Sequence, residues 1–232
     1  MKIKTIGSGS SGNCYLIDDG QTQLLLECGL PIKKIKAGCD YDLSRIAACL
    51  VTHEHQDHCY AVRDLLRMGV PVWMTYGTLQ ALGLDEWLAF RFNGNPGDYS
   101  SEKIGSYQVL PFKVHHDAAE PVGYLIHSGA TGEKLLYVTD TQYIDYRFRG
   151  LTHIMVEANF SAETLADPDN DPRRSRLRRA HMSLESCIKL LKANDLSRAR
   201  GIWLIHLSQT NGEPEVFRRR VEEATGVPVH VA

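Results

Sequence analysis

The chain has 232 residues, 43% hydrophobic and 23% charged, the composition of a globular protein large enough for one well-buried core. A formal net charge of −2 excludes a global electrostatic attraction to nucleic acid or membrane, so local patches must carry any such claim. The opening Met1–Gly7 lacks a signal-peptide apolar run and no stretch has transmembrane length, so the expectation is one cytoplasmic domain over residues 1–232, off the membrane.

In chain order, the pattern predicts a strand over Lys2–Ile6 and a glycine-serine loop, Gly7-Ser8-Gly9-Ser10-Ser11-Gly12. Strands Asn13–Ile17 and Gln23–Glu27 follow, joined at Asp18-Asp19-Gly20, a hairpin signal. A short helix is predicted after Pro31 and a buried strand over Ala47–Val51. One helix is expected from Asp57-His58 through Met68, with Val62, Leu65 and Leu66 on its apolar face. Then come a strand at Val70–Met74, a helix near Tyr76–Leu82, an irregular stretch around Asn93–Gly97, and strands Ser106–Val114, Val122–His127, Lys134–Thr139 and Thr152–Ala158. The segment from Ala166 to Arg179, rich in Asp, Pro and Arg, reads as a flexible insertion. A helix over Ser183–Ala193, a strand over Gly201–Leu207, a helix over Pro214–Ala224 and a strand over Val227–Val231 complete the chain. Two strand-rich halves, each closed by strand–helix pairs, predict an α/β fold of two mixed sheets packed together with helices outside. The six cysteines form no C-x-x-C pair and are expected as reduced, mostly buried thiols; Cys59 adjoins His58 and is the one to watch.

The most informative segment is Thr52-His53-Glu54-His55-Gln56-Asp57-His58, directly after the Ala47–Val51 strand. Imidazole and carboxylate are the ligands that zinc, manganese and iron accept, and a strand end is where scaffolds carry sites. Alternate residues His53 and His55 can face one metal, while Asp57 and His58 turn away and can hold a second. Further donors follow other strands: His115-His116-Asp117 after Ser106–Val114, Asp140 after Leu135–Thr139, and His206 after Gly201–Ile205. One such histidine is weak evidence; together with the histidine loop they point to a hydrolase with two metals.

The series His53-x-His55-x-Asp57-His58, His116, Asp140 and His206 resembles the metallo-β-lactamase superfamily over nearly the whole chain. The resemblance implies an αβ/βα four-layer sandwich with the metals at one edge between the sheets. It implies one metal on His53, His55 and His116, another on Asp57, His58 and His206, and Asp140 bridging. His116 is preferred to His115 because His116-Asp117-Ala118 followed by Pro121-Val122-Gly123-Tyr124 is similar to the family segment. The family's usual Asp after the third strand, which props the histidine loop, is here Glu27. The expected consequence is an altered loop position with metal binding retained.

Finer motifs are similar to those of phosphodiester-cleaving branches. Gly7–Asn13 matches the Gly-Ser-Gly-Ser-Ser-Gly-Asn opening of WalJ (YycJ)-type exonucleases, and His206-Leu207-Ser208 matches their last ligand motif. Glu157-Ala158-Asn159-Phe160 resembles the Glu-Ala-Thr-Phe segment of RNase Z-type enzymes, and His181-Met182-Ser183-Leu184-Glu185 their His-Ser-Thr-x-Glu. Taken alone, the glycine-serine loop either presents backbone N–H groups to an anion or is a plain tight connection. It lacks the Gly-Lys-Ser/Thr ending of a nucleotide P-loop.

The implied activity is exonuclease cleavage of DNA by a hydroxide activated at two divalent ions, Zn²⁺ or Mn²⁺ with iron as a further candidate. Asp57, His181 and Glu157 are the catalytic candidates, with His181, held by Glu157 or Glu185, stabilising the transition state or protonating the leaving oxygen. The alternatives are RNA processing or cyclic-phosphate hydrolysis on the same metals, or a metal-retaining nucleic-acid-binding module without turnover. Arg173, Arg174, Arg176, Arg178 and Arg179 form the one dense basic cluster, either a phosphate clamp or a solvated loop balanced by Asp167, Asp169 and Asp171.

Overall fold

A computed structural model describes every residue except 166–171, 209 and 211, with the side chains of 172–174 also outside the description. Its contacts divide the chain into two compact units, one of Met1–Lys113 with Ala118–Glu133 and one of Val114–Asp117 with Lys134–Ala232.

The first unit opens with β1 (Lys2–Gly7), β2 (Cys14–Asp18) and β3 (Gln23–Leu26), then α1 (Ile32–Gly38) and β4 (Ile46–Leu50). After the histidine loop come α2 (Gln56–Cys59), α3 (Val62–Arg67), β5 (Val72–Met74), α4 (Tyr76–Ala81) and β6 (Phe90–Arg91). These strands form a six-stranded sheet in sequence order, antiparallel from β1 to β3 and parallel from β3 to β6. The predicted irregular stretch holds a small hairpin of β7 (Gly94–Asn95) and β8 (Asp98–Tyr99). Then β9 (Glu102–Ile104), β10 (Tyr107–Lys113) and β11 (Val122–Ser128) form an antiparallel ladder. This ladder packs on the first sheet: the buried Tyr124 hydroxyl of β11 donates to the carbonyl of Val51, and its ring lies 5.6 Å from that of Phe92. On the helical side of the first sheet, Leu25, Ile35, Val51, Val62, Leu65, Val72 and Leu79 are buried in one apolar cluster, along with five of the cysteines.

The second unit holds β12 (Lys134–Val138), β13 (His153–Glu157), α5 (Pro172–Ala180), α6 (Leu184–Ala193), β14 (Gly201–Ile205), α7 (Pro214–Thr225) and β15 (Val229–Val231). Strands β12 to β15 pair in parallel, and β12 and β13 are almost entirely buried, as expected of strands covered on both faces. Helix α7 starts with a proline in its first turn and stops at left-handed Gly226, whose N–H donates to Glu222.

Two predictions need correction. The expected helix from Asp57 to Met68 is broken into α2 and α3, because its carbonyls are taken from outside. Asp57 accepts from Asn13 N–H and His58 from Cys28 N–H, both at 2.8 Å, while Ala61 N–H turns to the Cys28 carbonyl at 2.9 Å. The i to i+4 bonds on either side persist, Tyr60 N–H to Gln56 and Leu65 N–H to Ala61, but those that would use the Asp57 and His58 carbonyls are lost and the helix breaks there. The predicted flexible insertion contains the nine-residue helix α5, with proline at its first position, where a missing N–H costs nothing. The rest of that prediction, over 166–171, lies outside the described residues.

Candidate metal sites

In the first unit the donors stand on the loop where β4 ends. The hydroxyl of Thr52 lies 2.9 Å from His53 Nδ1, and His53 Nε2 lies 3.1 Å from His55 Nδ1. Two neutral ring nitrogens so close oppose their lone pairs unless a proton or a cation sits beside them. The His58 ring is 4.3 Å from that of His53, with Nε2 3.6 Å from Asp57 Oδ2 and Nδ1 3.6 Å from Glu27 Oε1. Glu27 is fully buried, accepts the Thr52 N–H at 3.3 Å and donates its own N–H to Leu50. Its φ of 64° is a conformation that a glutamate adopts only when its surroundings impose it.

The glycine-serine loop is the second support of these donors. Asn13 is buried; its backbone N–H and its side-chain amide both reach the Asp57 carbonyl, and the amide nitrogen lies 3.3 Å from His58 Nε2. Its side-chain oxygen in turn accepts from Gly9 N–H and the Tyr15 hydroxyl. Gly12 donates to Gly9, so the loop uses these N–H groups to close on itself, the geometry of a tight connection. A Cβ on Gly29 would stand 1.7 Å from the Asp57 carbonyl oxygen, so glycine is what lets β3's exit lie against the histidine loop.

In the second unit the donors come from five separate strand or helix ends. Asp140, Glu157, His181 and His206 each offer a ligand-type atom within 4.8 Å of the others. His206 Nδ1 lies 2.8 Å from Asp140 Oδ1 and 3.1 Å from Glu157 Oε1. His181 Nδ1 meets Glu157 Oε1 at 2.7 Å. The other oxygen of Glu157 accepts the N–H groups of Thr141 and Met182. His116 donates Nδ1–H to the Ala180 carbonyl at 2.8 Å and sets Nε2 3.7 Å from Asp140 Oδ2, the fixed-tautomer arrangement of a metal-binding imidazole. His115 behaves differently: it pairs with Asp145 at 2.6 Å and stacks on Tyr143.

Burial would push Glu157 up, but the His181 charge and its hydrogen bonds from His181 and His206 hold it below the usual carboxylate range. Burial works to lower His181 too, and the charge of Glu157 overrides it and raises the imidazole. For His116 burial wins over the attraction of Asp140, and the ring is pushed towards its neutral form. Two buried carboxylates beside imidazoles, one of them (His116) oriented by a backbone carbonyl, are a donor set that suits a divalent cation. Asp140 and His206 also carry positive φ values of 26° and 52°; together with Glu27 they are three of the five non-glycine residues with positive φ among the described residues.

A family model described as the beta-lactamase superfamily domain matches residues 27–207. The chain belongs to that superfamily. It is similar to the exodeoxyribonuclease YycJ of Bacillus anthracis, 28% identical with 96% of this chain and 88% of that protein covered. It is also similar to the exodeoxyribonuclease WalJ of Streptococcus pneumoniae serotype 2 (strain D39), at 28% with 93% and 85% covered. The solved metallo-β-lactamase fold protein YhfI of Bacillus subtilis superposes with a TM-score of 0.75 at 17% identity, covering 99% of this chain and 95% of that one. The fold is therefore the metallo-β-lactamase fold that the sequence resemblance implied.

Within this superfamily chain, Asn13 is the supporting residue that the sequence reading passed over, although it closes the quoted glycine-serine motif. Asn159 is another: its side chain donates to the His206 carbonyl at 2.8 Å and its own carbonyl accepts from Ser208 N–H. Between the two partners considered for His181, Glu157 is the one in contact; Glu185 instead pairs with Arg220 at 3.2 Å and accepts from Ala162 N–H. Arg176 is paired with Asp117 at 2.8 Å, and Arg178 donates to the Leu165 carbonyl. All six cysteines are buried free thiols. Burial pushes Cys39 up to about 11 and Cys59 up to about 12, and Cys59 donates to the Glu54 carbonyl. No described helix is long and apolar enough to cross a membrane.

Proposed function

We propose that the protein is a single-domain, cytoplasmic, metal-dependent phosphodiesterase that digests DNA from an end. The likeness to YycJ and WalJ over more than nine-tenths of the chain carries this reading, and the cluster of Asp140, Glu157, His181 and His206, buried but for His181, supports it. In this reading His53, His55, Asp57, His58, His116, Asp140 and His206 are the ligands of two divalent ions, as the superfamily resemblance implies. Their nitrogen and oxygen donors suit zinc, manganese or iron according to supply. Such ions, when bound, supply an activated water and neutralise charge on the phosphoryl oxygens.

The chain's own groups do the rest. Glu157 holds His181 through Nδ1 in a raised-pKa state, so that Nε2 can give a proton to the leaving oxygen. Thr141 and Met182 N–H groups fix the Glu157 carboxylate, and Asn159 fixes the backbone of His206. Asp57, whose backbone carbonyl is held by Asn13, would serve as a ligand and as the third catalytic candidate.

The test is digestion of 5′- and 3′-labelled linear duplex DNA with added manganese or zinc and an EDTA control. Mononucleotides released from one end, and lost in His116→Ala, are expected. His181→Ala should lower turnover with metal content unchanged. Cleavage of labelled RNA or bis(p-nitrophenyl) phosphate without cleavage of DNA would replace this reading by an RNA or small-phosphodiester activity. Bound metal with DNA binding but no turnover on any of them would make the protein a binding module.

A further inference from the structure

Two cavities of the second unit meet on one side of α6. The first, about 380 Å³, is lined by His181, Arg178, Gln142 and the hydroxyls of Ser183 and Ser186. The second, about 460 Å³, is lined by Tyr143, Tyr146, Arg147 and Lys189, and it also includes Ser186. The two linings share Ser186, and Gln142 of the first is followed in sequence by Tyr143 of the second, so the two cavities lie beside each other.

Their linings differ in a way that fits successive parts of one ligand. Around His181 the polar groups are an arginine, an imidazole and hydroxyls, beside the apolar Phe160 and Leu165, and the arginine and imidazole answer a phosphate through charge-assisted bonds. Ser183 is the N-cap of the ten-residue α6, so the first turn of that helix lies at the edge of the same cavity. Further along, Tyr143 is 47% exposed and its ring is backed by His115, 4.2 Å away and nearly parallel. His115 is itself held by Asp145 at 2.6 Å. A tyrosine ring held from behind and open in front, beside an arginine and a lysine, has the chemistry of a base-stacking platform next to a backbone-tracking charge. Asp145, the acidic group of this lining, is engaged with His115.

We propose that these neighbouring cavities form a track for a single nucleic-acid strand, with phosphate held between Arg178 and His181 and a base stacked on Tyr143. The inference rests on the phosphodiesterase reading above and adds how its substrate is gripped. It also gives His115 a task distinct from that of His116: to brace the stacking ring.

The experiment compares the metal-loaded wild-type protein with Tyr143→Ala, Tyr143→Phe and the double variant Arg147→Ala/Lys189→Ala. The substrates are a 12-nucleotide single strand and bis(p-nitrophenyl) phosphate, which has one phosphodiester and cannot reach the platform. Tyr143→Ala should raise KM for the oligonucleotide about tenfold, in keeping with about 1–3 kcal/mol per stacked base. Tyr143→Phe, which keeps the ring, should restore the wild-type KM. The double variant should make the salt dependence of oligonucleotide binding shallower by about 1.4 in logarithmic slope, for two lost phosphate contacts. Turnover of bis(p-nitrophenyl) phosphate should be unchanged in all three. Wild-type digestion of the oligonucleotide with variants of unaltered KM and salt slope would overturn the track alone. A wild-type protein that neither binds nor digests the oligonucleotide would overturn the nucleic-acid reading, and the track with it.

Discussion

The histidine loop of the first unit and the carboxylate–histidine cluster of the second are built on opposite principles. The loop places four donors within six residues, and the chain around it holds them by the backbone: Asn13 and Cys28 donate to the carbonyls of Asp57 and His58, and Glu27 accepts from Thr52. The cluster collects donors from widely separated strand and helix ends, and side chains hold one another: Glu157 binds both His181 and His206, and Asp140 binds His206. A loop pinned by backbone bonds keeps its shape when a donor side chain changes. A cluster of buried charges does not, because each removed partner leaves another charge without compensation.

That contrast can be broken most directly at Glu157. Glu157→Ala leaves the buried His206 imidazole, the partly buried His181 imidazole and two N–H groups without their acceptor and should cost about 3 kcal/mol, read from urea unfolding. Glu157→Gln, which keeps one acceptor oxygen, should cost less. A Glu157→Ala protein as stable as wild type would show that the cluster is not held by its carboxylate. Gly29→Ala comes next, at about 2 kcal/mol, because its Cβ would drive into the Asp57 carbonyl and displace backbone.

Asn13→Ala removes buried bonds from the same loop, including the amide contact to His58, and should lower stability by about 1–2 kcal/mol. If it left thermal unfolding where it was, the glycine-serine loop would not be a support of the histidine loop. The smallest effect is expected at the thiols. A thiol raised to about 11 or 12 is protonated at pH 8, so Cys39 and Cys59 should ignore a thiol reagent until the protein unfolds. Rapid native labelling of Cys59 would place it in an open histidine loop rather than under Glu54.

Much of this was legible in the residues. Short apolar runs ending in histidine or aspartate mark strand ends, so the positions of His53, His116, Asp140 and His206 relative to β4, β10, β12 and β14 could be read before any coordinates. The last helix, expected over Pro214–Ala224, forms as α7 (Pro214–Thr225). Other features were invisible because they depend on partners far away in the chain. Asn13 and Asp57 are 44 residues apart, and nothing in either local pattern announces that one will take the other's carbonyl and end a helix there. The arginine-rich segment looked loose by composition, yet α5 forms and lends the Ala180 carbonyl to His116.

By itself, then, the sequence determined which chemistry is available: imidazoles and carboxylates at strand ends, reduced thiols in the core, and the superfamily those motifs resemble. Tertiary structure alone decided which ring nitrogen faces which oxygen, that Glu157 rather than Glu185 holds His181, and that His115 turns to Tyr143 while His116 turns to Asp140. The physical reason is one of range. Burial periodicity and turn chemistry act over a few residues and are written locally. A hydrogen bond between buried groups far apart in the chain exists only once packing has brought them together and removed the water that would otherwise satisfy each of them.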